Sequence, residues 1–231
     1  MTNALFDGLT HVSVVEVVLA VVAIFLLSLW FVKRRNSGLP QNLVLLVGPC
    51  DSGKTSLFFH WSSKRTNTVT SQTPNRGFPL KACKSEIVDC PGHPKLRAIS
   101  FALIPQAAVI IYMIDASSSQ DTLKLVAENL YDILVSKRLS TVCRLLVCRT
   151  KTDLPNAITE SALEKTLNAE IETLRKSRSH ELEGECAIDN YLGVEDEIFD
   201  IRNHSPIEVS FGSISVKEEQ TQVVEEFIRS T

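Results

Sequence analysis

The residues from Gly48 to Thr55 have the sequence GPCDSGKT, which is typical of a phosphate-binding loop. Placed between a buried strand and a helix, such a loop turns backbone N–H groups toward phosphate oxygens. Lys54 is expected to neutralise the β- and γ-phosphates, and the Thr55 hydroxyl to bind Mg²⁺. The segment therefore predicts a site for a nucleoside triphosphate. The expected contacts are Gly48, Cys50, Asp51, Ser52, Gly53, Lys54, Thr55 and Ser56.

A second group of polar residues begins where a predicted strand ends, at Asp89 in the sequence DCPGH. An aspartate here can hold Mg²⁺ through water, and the N–H group of Gly92 can contact a γ-phosphate oxygen. The polar segment 66–77 must supply a threonine that completes the Mg²⁺ shell and senses the γ-phosphate. Three threonines qualify, and we prefer the last of them. They are Thr68, Thr70 and Thr73. The predicted metal ligands are Thr55, Asp89 and Thr73.

Two further segments are placed to recognise a base. The sequence TKTD, residues 150–153, follows a buried strand-like run. The Asp153 carboxylate can accept hydrogen bonds from guanine N1–H and N2–H₂, which adenine does not offer, and the Lys151 stem can lie across the base. Gly212-Ser213-Ile214 follows the last predicted strand, where backbone amides are expected to meet guanine O6. The expected base contacts are Thr150, Lys151, Asp153 and Ser213, and the predicted ligands are GTP and Mg²⁺.

The first part of the chain has the properties of a membrane anchor. Residues 12–32 give a helix of about 31 Å, enough to cross the hydrocarbon core. Lys33-Arg34-Arg35 follow, whereas residues 1–11 carry no Lys or Arg. This is the reverse of the charge order of a signal peptide, and it places the following domain in the cytosol. The predicted organisation is a short translocated tail (1–11), a transmembrane helix (12–32), a tether (33–41) and a cytosolic domain (42–231).

Apolar runs of strand length alternate with helical spacing from residue 42 onward. This pattern predicts an α/β fold, a mostly parallel six-stranded sheet with helices on both faces. The predicted strands include residues 43–47, 86–89, 107–115, 142–148 and 207–211. Residues 181–200 contain eight carboxylates and no Lys or Arg, which predicts a solvated acidic loop. The net charge of −3 gives no reason to expect a nucleic-acid partner.

Taken in order, GPCDSGKT, DCPGH, TKTD and GSI resemble the motifs of a Ras-superfamily GTPase on the Arf-like side. The loop CDSGKT, the turn DCPGH, the segment Leu125–Leu134 and the anchor ahead of the domain together resemble the family of signal recognition particle receptor β subunits. That resemblance implies a P-loop GTPase domain behind one transmembrane helix, in the endoplasmic reticulum membrane with its tail in the lumen. It also implies a heterodimer in which the GTP-bound protein holds the receptor α subunit, near the ribosome and translocon.

The resemblance places two residues at positions with known roles. His93 stands where Ras-like proteins carry the glutamine that orients the attacking water, and Thr150 stands where many GTPases have asparagine. We expect slow or partner-stimulated GTP hydrolysis, because no arginine is evidently placed to stabilise charge in cis. GTP would then act chiefly by ordering residues 66–77 and 91–100 for a partner. The alternative hypothesis is a membrane-anchored Arf-like switch that recruits trafficking effectors.

Overall fold

The computed structural model of the chain describes residues 42–62, 71–80, 84–181, 191–194 and 197–230, together with the single residue Val21. Residues 40–231 form one compact unit, to which all elements below belong. The predicted tail and tether lie outside the described residues, as do Thr68, Thr70 and, apart from Val21, the predicted span 12–32. Within the part of the chain that is described, no helix has the length and apolar character needed to cross a membrane.

Six strands form one sheet. They are β1 (Leu43–Val47), β2 (Asn75–Gly77), β3 (Glu86–Asp89), β4 (Ala107–Asp115), β5 (Arg144–Thr150) and β6 (Glu208–Ser213). Their order in the sheet is β2-β3-β1-β4-β5-β6. All neighbours are parallel except β2, which runs antiparallel to β3 at the edge. The predicted α/β fold with a mostly parallel six-stranded sheet is confirmed.

Helices cover both faces of this sheet. They are α1 (Lys54–Trp61), α2 (Arg97–Leu103), α3 (Gln120–Leu134), α4 (Glu160–Glu181), α5 (Ile201–His204) and α6 (Gln222–Arg229). Successive side chains of a strand point to opposite faces of the sheet. All five residues of β1 are buried, so both faces of the sheet are covered at this strand. Leu45 joins the core formed with α3 and α4, whereas Leu46 joins the core formed with α1 and α6. Both cores are built from residues between Leu43 and Ile228.

Parallel strands bring their carboxyl ends to one edge of the sheet, and ligands of such sheets bind there. Two of the strands differ from the prediction. The strand predicted at 142–148 starts and ends two residues later, at Arg144 and Thr150, and the strand predicted at 207–211 continues to Ser213. Thr150 and Ser213 are therefore the last residues of hydrogen-bonded strands, and the loops at the candidate site begin after them.

Two described residues of the acidic stretch 181–200 are buried, whereas Val194 and Ile198 are exposed. Leu192 and Phe199 are buried in the core with α3 and α4. Arg175 of α4 explains this packing, because its buried guanidinium donates hydrogen bonds to the carbonyl oxygens of Leu192, Val194 and Glu197. Composition does not show that an arginine of the preceding helix binds the backbone of this segment, and the solvated loop stays a prediction for the rest of the stretch.

Candidate functional site

The loop between β1 and α1 has the backbone shape of a phosphate-binding loop. Gly48, Asp51 and Gly53 all have positive φ, at 143°, 61° and 83°. A Cβ at Gly48 would lie 2.2 Å from the carbonyl oxygen of Met113 in β4, so only glycine fits against that strand. The loop therefore depends on glycine for both its curvature and its contact with the sheet.

Lys54, the first residue of α1, folds back over this loop. Its Nζ donates to the carbonyl oxygen of Pro49 at 2.6 Å and to Ser52 Oγ at 3.1 Å. Burial lowers the pKa of Lys54, while the nearby Asp89 carboxylate opposes that shift. Cys50 and Asp51 are exposed at the tip of the loop, whereas Ser52 is buried. A buried ammonium held among backbone groups is suited to receive phosphate oxygens.

The predicted metal ligands Thr55 and Asp89 lie in direct contact. Thr55 Oγ1 donates to Asp89 Oδ2 at 2.8 Å, and Asn75 Nδ2 donates to the same oxygen at 2.8 Å. The other oxygen, Asp89 Oδ1, is buried without a hydrogen-bond partner. Burial raises the pKa of Asp89. An unpartnered buried carboxylate oxygen beside a hydroxyl is a hard-oxygen donor set, and it fits Mg²⁺.

Among the described residues of segment 66–77, Ser71 and Asn75 reach this site. Ser71 Oγ lies 3.4 Å from Thr55 Oγ1 and accepts a hydrogen bond from Asn75 Nδ2 at 3.3 Å. Thr73, the preferred threonine, is exposed, and its role at the metal stays a prediction. No sequence pattern distinguishes Ser71 or Asn75, because both are ordinary members of a turn-rich polar stretch.

The turn after Asp89 packs directly on the phosphate loop. A Cβ at Gly92 would lie 2.6 Å from the backbone nitrogen of Cys50 and 2.7 Å from the carbonyl carbon of Pro49. His93, by contrast, is exposed, and its Nδ1 accepts a hydrogen bond from the backbone N–H of Lys95 at 3.2 Å. The structure thus brings Gly92 to the phosphate loop and engages His93 in its own turn, so the assignment of His93 to hydrolysis stays a prediction.

A cavity of about 430 Å³ opens beside the phosphate loop. It is lined by Gly53, Ser56, Thr150, Lys151, Asp153, Leu154, Val216 and Lys217. This volume lies in the range of small-molecule sites. The lining combines residues of the phosphate loop and α1 with residues that follow β5 and β6. Five of the predicted nucleotide contacts therefore share one cavity.

The carboxylate of Asp153 is held in place at the wall of this cavity. Its Oδ1 accepts a hydrogen bond from Ser215 Oγ at 2.8 Å, and Lys217 Nζ lies 3.6 Å from its Oδ2. The hydrogen bond from Ser215 is the main cause of the lowered pKa of Asp153. Thr152 Oγ1 donates to the carbonyl oxygen of Ile214 at 3.1 Å, which joins the loops after β5 and β6. The cavity thus presents an ionised carboxylate in a defined place.

Thr150 and Lys151 connect the cavity to the phosphate loop. The buried Thr150 hydroxyl lies 2.9 Å from the carbonyl oxygen of Ser52 and 3.1 Å from that of Ile114, so its single proton serves these two acceptors. Lys151 Nζ lies 2.8 Å from Asp115 Oδ2 and 3.0 Å from Asp51 Oδ2. The loop after β5 and the loop between β1 and α1 are therefore held together by side chains as well as by the sheet.

Ser213 does not lie at the cavity. Its Oγ accepts hydrogen bonds from the Arg149 guanidinium, at 2.7 Å from Nη2 and 3.1 Å from Nε. The segment Ser215-Val216-Lys217 takes the place predicted for Ser213. The signal was present in the sequence, because SVK differs from the commoner Ser-Ala-Lys only in its middle residue. It was missed because β6 was expected to end two residues earlier.

A family model described as the signal recognition particle receptor beta subunit matches residues 40–216. The chain belongs to this family. The human receptor subunit beta is 31% identical over 223 residues, which cover 90% of this chain and 80% of the relative. The subunit beta of Dictyostelium discoideum is 30% identical over 202 residues, covering 81% of this chain and 69% of that relative.

Solved structures share the fold of this chain. A structure of the mammalian SRP receptor is similar with a TM-score of 0.71 and 29% identity, covering 81% of this chain and 98% of that one. A structure described as the SRb-GTP/SRX complex from Chaetomium thermophilum is similar in fold, with a TM-score of 0.63 and 22% identity over 84% of this chain and 99% of that one.

Proposed function

We propose that this chain binds GTP together with Mg²⁺ at the carboxyl edge of its sheet. The observation that carries the proposal is the ionised carboxylate of Asp153 at the wall of a cavity that Gly53 and Ser56 also line. Because both groups border one space, a single ligand can join a base at Asp153 to phosphates at the loop. Guanine offers that carboxylate two N–H donors, and adenine offers none in the matching positions.

Each part of the site has a defined task in this proposal. Lys54 neutralises the phosphates from its buried position over the loop. Thr55 and Asp89 would hold Mg²⁺, whose charge offsets that of the β- and γ-phosphates. Gly92 brings the turn after β3 against the phosphate loop, where its N–H can meet a γ-phosphate. Hydrolysis is expected to be slow, since His93 is exposed and its Nδ1 is engaged by Lys95.

Nucleotide binding is measured directly with residues 40–231, the compact unit that contains both cores. Calorimetric titration should show GTP and GDP bound at least about 100-fold more tightly than ATP, because a hydrogen-bonding site rejects a base without matching donors. Equal affinity for ATP would contradict the assignment of Asp153. Single-turnover hydrolysis at the rate of an activated GTPase would contradict the expectation of slow hydrolysis.

We further propose that the chain is anchored in the endoplasmic reticulum membrane by residues 12–32, with its GTPase domain cytosolic, and that its GTP state holds the receptor α subunit for protein targeting. The contacts of Ser71 and Asn75 with Thr55 and Asp89 support a link between nucleotide and partner, because they tie β2 and the residues before it to the proposed metal ligands. The protein in one solved structure of the same fold is described as SRb-GTP in complex with SRX.

The partner is tested by capture with the GTP-loaded domain from detergent extract. Recovery of the receptor α subunit supports the proposal, and recovery of coat or tether proteins instead would favour the Arf-like alternative. The matched control is Lys54→Ala, which is expected to lose nucleotide and, with it, the partner. A partner that still binds this variant without nucleotide would contradict the switch model. Protease protection of the short N-terminal tail in sealed microsomes tests the membrane topology separately.

A further inference from the structure

Arg149 is a charged residue of the central sheet that the proposed binding of GTP does not use. It precedes Thr150 at the end of β5 and is half-buried. Its guanidinium donates from Nε and Nη2 to Ser213 Oγ, at 3.1 and 2.7 Å, and from Nη1 to the carbonyl oxygen of Ile158. None of these acceptors is a carboxylate, and no ion pair of Arg149 occurs among the residues that the structure describes. The side chain therefore acts as a donor to neutral groups.

The two acceptors border the segments after β5 and β6, which line the cavity near Asp153. Ser213 ends β6, two residues before Ser215, which binds Asp153. Ile158 closes the loop that carries Asp153, and its own N–H donates to the carbonyl oxygen of Ala116 at 2.9 Å. One planar guanidinium thus binds Ser213, which stands before the segment with Ser215, and Ile158, which ends the loop with Asp153. A fork of fixed geometry is suited to this, whereas a lysine presents a single ammonium.

The backbone of Arg149 contributes to the same connection. The N–H of Ile214 donates to the carbonyl oxygen of Arg149 at 2.8 Å. The carbonyl oxygen of Ile214 in turn accepts from Thr152 Oγ1 at 3.1 Å. The backbone bond continues the sheet ladder, so it would form with any residue at position 149. The side-chain bonds are what arginine adds, and they fix the outer ends of the two segments.

We propose that Arg149 is a positioning residue for guanine recognition, which holds the Asp153 and Ser215 segments at the separation that Asp153 needs to receive both N1–H and N2–H₂. The inference rests on the proposed binding of GTP. A small displacement of the carboxylate would lengthen one of the two bonds to guanine while leaving the phosphate contacts in place. The effect should therefore appear in base selectivity, and the phosphate loop should be unaffected.

The test compares GTP with inosine triphosphate, which lacks the 2-amino group and so cannot make the second bond. Dissociation constants for both nucleotides are measured on residues 40–231 with Arg149→Ala and Arg149→Lys, below the melting temperature of each variant. The preference for GTP is expected to fall about tenfold in the alanine variant, the loss of one hydrogen bond to a charged group. The lysine variant should lose part of the preference, because one ammonium cannot reach both acceptors.

The matched control is Arg202→Ala. Arg202 also lies beside β6, over the ring of Phe211, but it pairs with Glu164 and Glu160 on the surface of α4. It should leave the preference for GTP unchanged. A folded Arg149→Ala protein with reduced melting temperature and an unchanged ratio of the two constants would overturn the proposal, since a merely stabilising residue gives that result.

Two further outcomes keep the test decisive. If Arg149→Ala does not fold, Arg149→Lys and Ser213→Ala decide, because Ser213→Ala removes one acceptor and keeps the arginine. An unchanged preference in both variants would overturn the positioning role. A parent domain that binds GTP no better than ATP would instead refute the proposed function, and this result is distinguishable because it appears without any substitution.

Discussion

Replacing Arg175 by alanine is expected to destabilise the domain strongly without weakening GTP binding. The side chain is 2% exposed, and its Nη2 lies 2.7 Å from Glu172 Oε2. Breaking a buried network of hydrogen bonds by one substitution costs about 1–3 kcal/mol. The cost is not larger, because Glu172 is 16% exposed and keeps Lys176 Nζ at 3.0 Å. For a domain of this size, each kcal/mol shifts the melting temperature by about 2–4 °C. The expected decrease is therefore roughly 2–12 °C in a thermal melt.

The loss has a second component in the segment that Arg175 holds. The guanidinium donates to the carbonyl oxygens of Leu192 and Val194, and it lies 5.0 Å from the ring of Tyr191. Without it, the backbone of residues 191–194 would need new hydrogen-bond partners. Hydrogen exchange of these amides should therefore accelerate in the variant more than that of β4.

The control for this prediction is Arg178→Ala, one turn further along the same helix. Arg178 Nη1 lies 2.6 Å from Asp132 Oδ1, but the arginine side chain is 32% exposed. Solvent screening leaves such a pair worth about 0.2–1 kcal/mol. Equal melting temperatures for the two variants would refute the reasoning from burial. A large loss of GTP affinity in folded Arg175→Ala protein would refute the separation of this anchor from the nucleotide site.

Three predictions concern the nucleotide site itself. Ser215→Ala should weaken GTP binding about tenfold or more, because it removes a hydrogen bond to the Asp153 carboxylate; a change below twofold in a fluorescent-nucleotide titration would contradict this. Asp153→Asn should shift preference from GTP toward xanthosine triphosphate, and unchanged GTP affinity in competition titrations would remove Asp153 from the base site. Gly92→Ala should retain GDP but lose GTP-dependent partner capture, since its methyl group meets Pro49 and Cys50 at less than 3 Å; capture equal to the parent domain would exclude that contact from the switch.

Motif spacing predicted those parts of the site that depend on residue type. The phosphate loop, Asp89 and Asp153 are predicted from the sequence because phosphate, metal and guanine each demand particular groups at particular points of an α/β sheet. The structure places the phosphate loop and Asp153 at one cavity. Spacing does not fix where a strand ends. β6 continues to Ser213 because its ladder with β5 extends to Arg149, so Val216 and Lys217 line the cavity and Ser213 does not.

Contacts between residues distant in the chain could not be predicted from the sequence alone. Ser71 lies beside Thr55 because the chain passes Thr55 just before it enters β2. A path of this kind produces no periodic pattern in the sequence. The charge of the acidic stretch 181–200 predicts a solvated loop, and it does not indicate that Leu192 and Phe199 are buried where Arg175 binds the backbone beside them. In both cases a residue distant in sequence supplies the partner, and composition within a window does not contain that information.

Strand β1 separates the first described residues of the domain from the phosphate loop. The chain enters the sheet at Leu43 and reaches the phosphate loop after Val47, so one short strand separates the entry point from the nucleotide. Five residues of strand span about 17 Å. Under the proposed function, a membrane anchor before residue 42 would act at one end of this distance, and a partner that senses GTP would bind at the other. Attachment and partner binding would then use different surfaces of the domain.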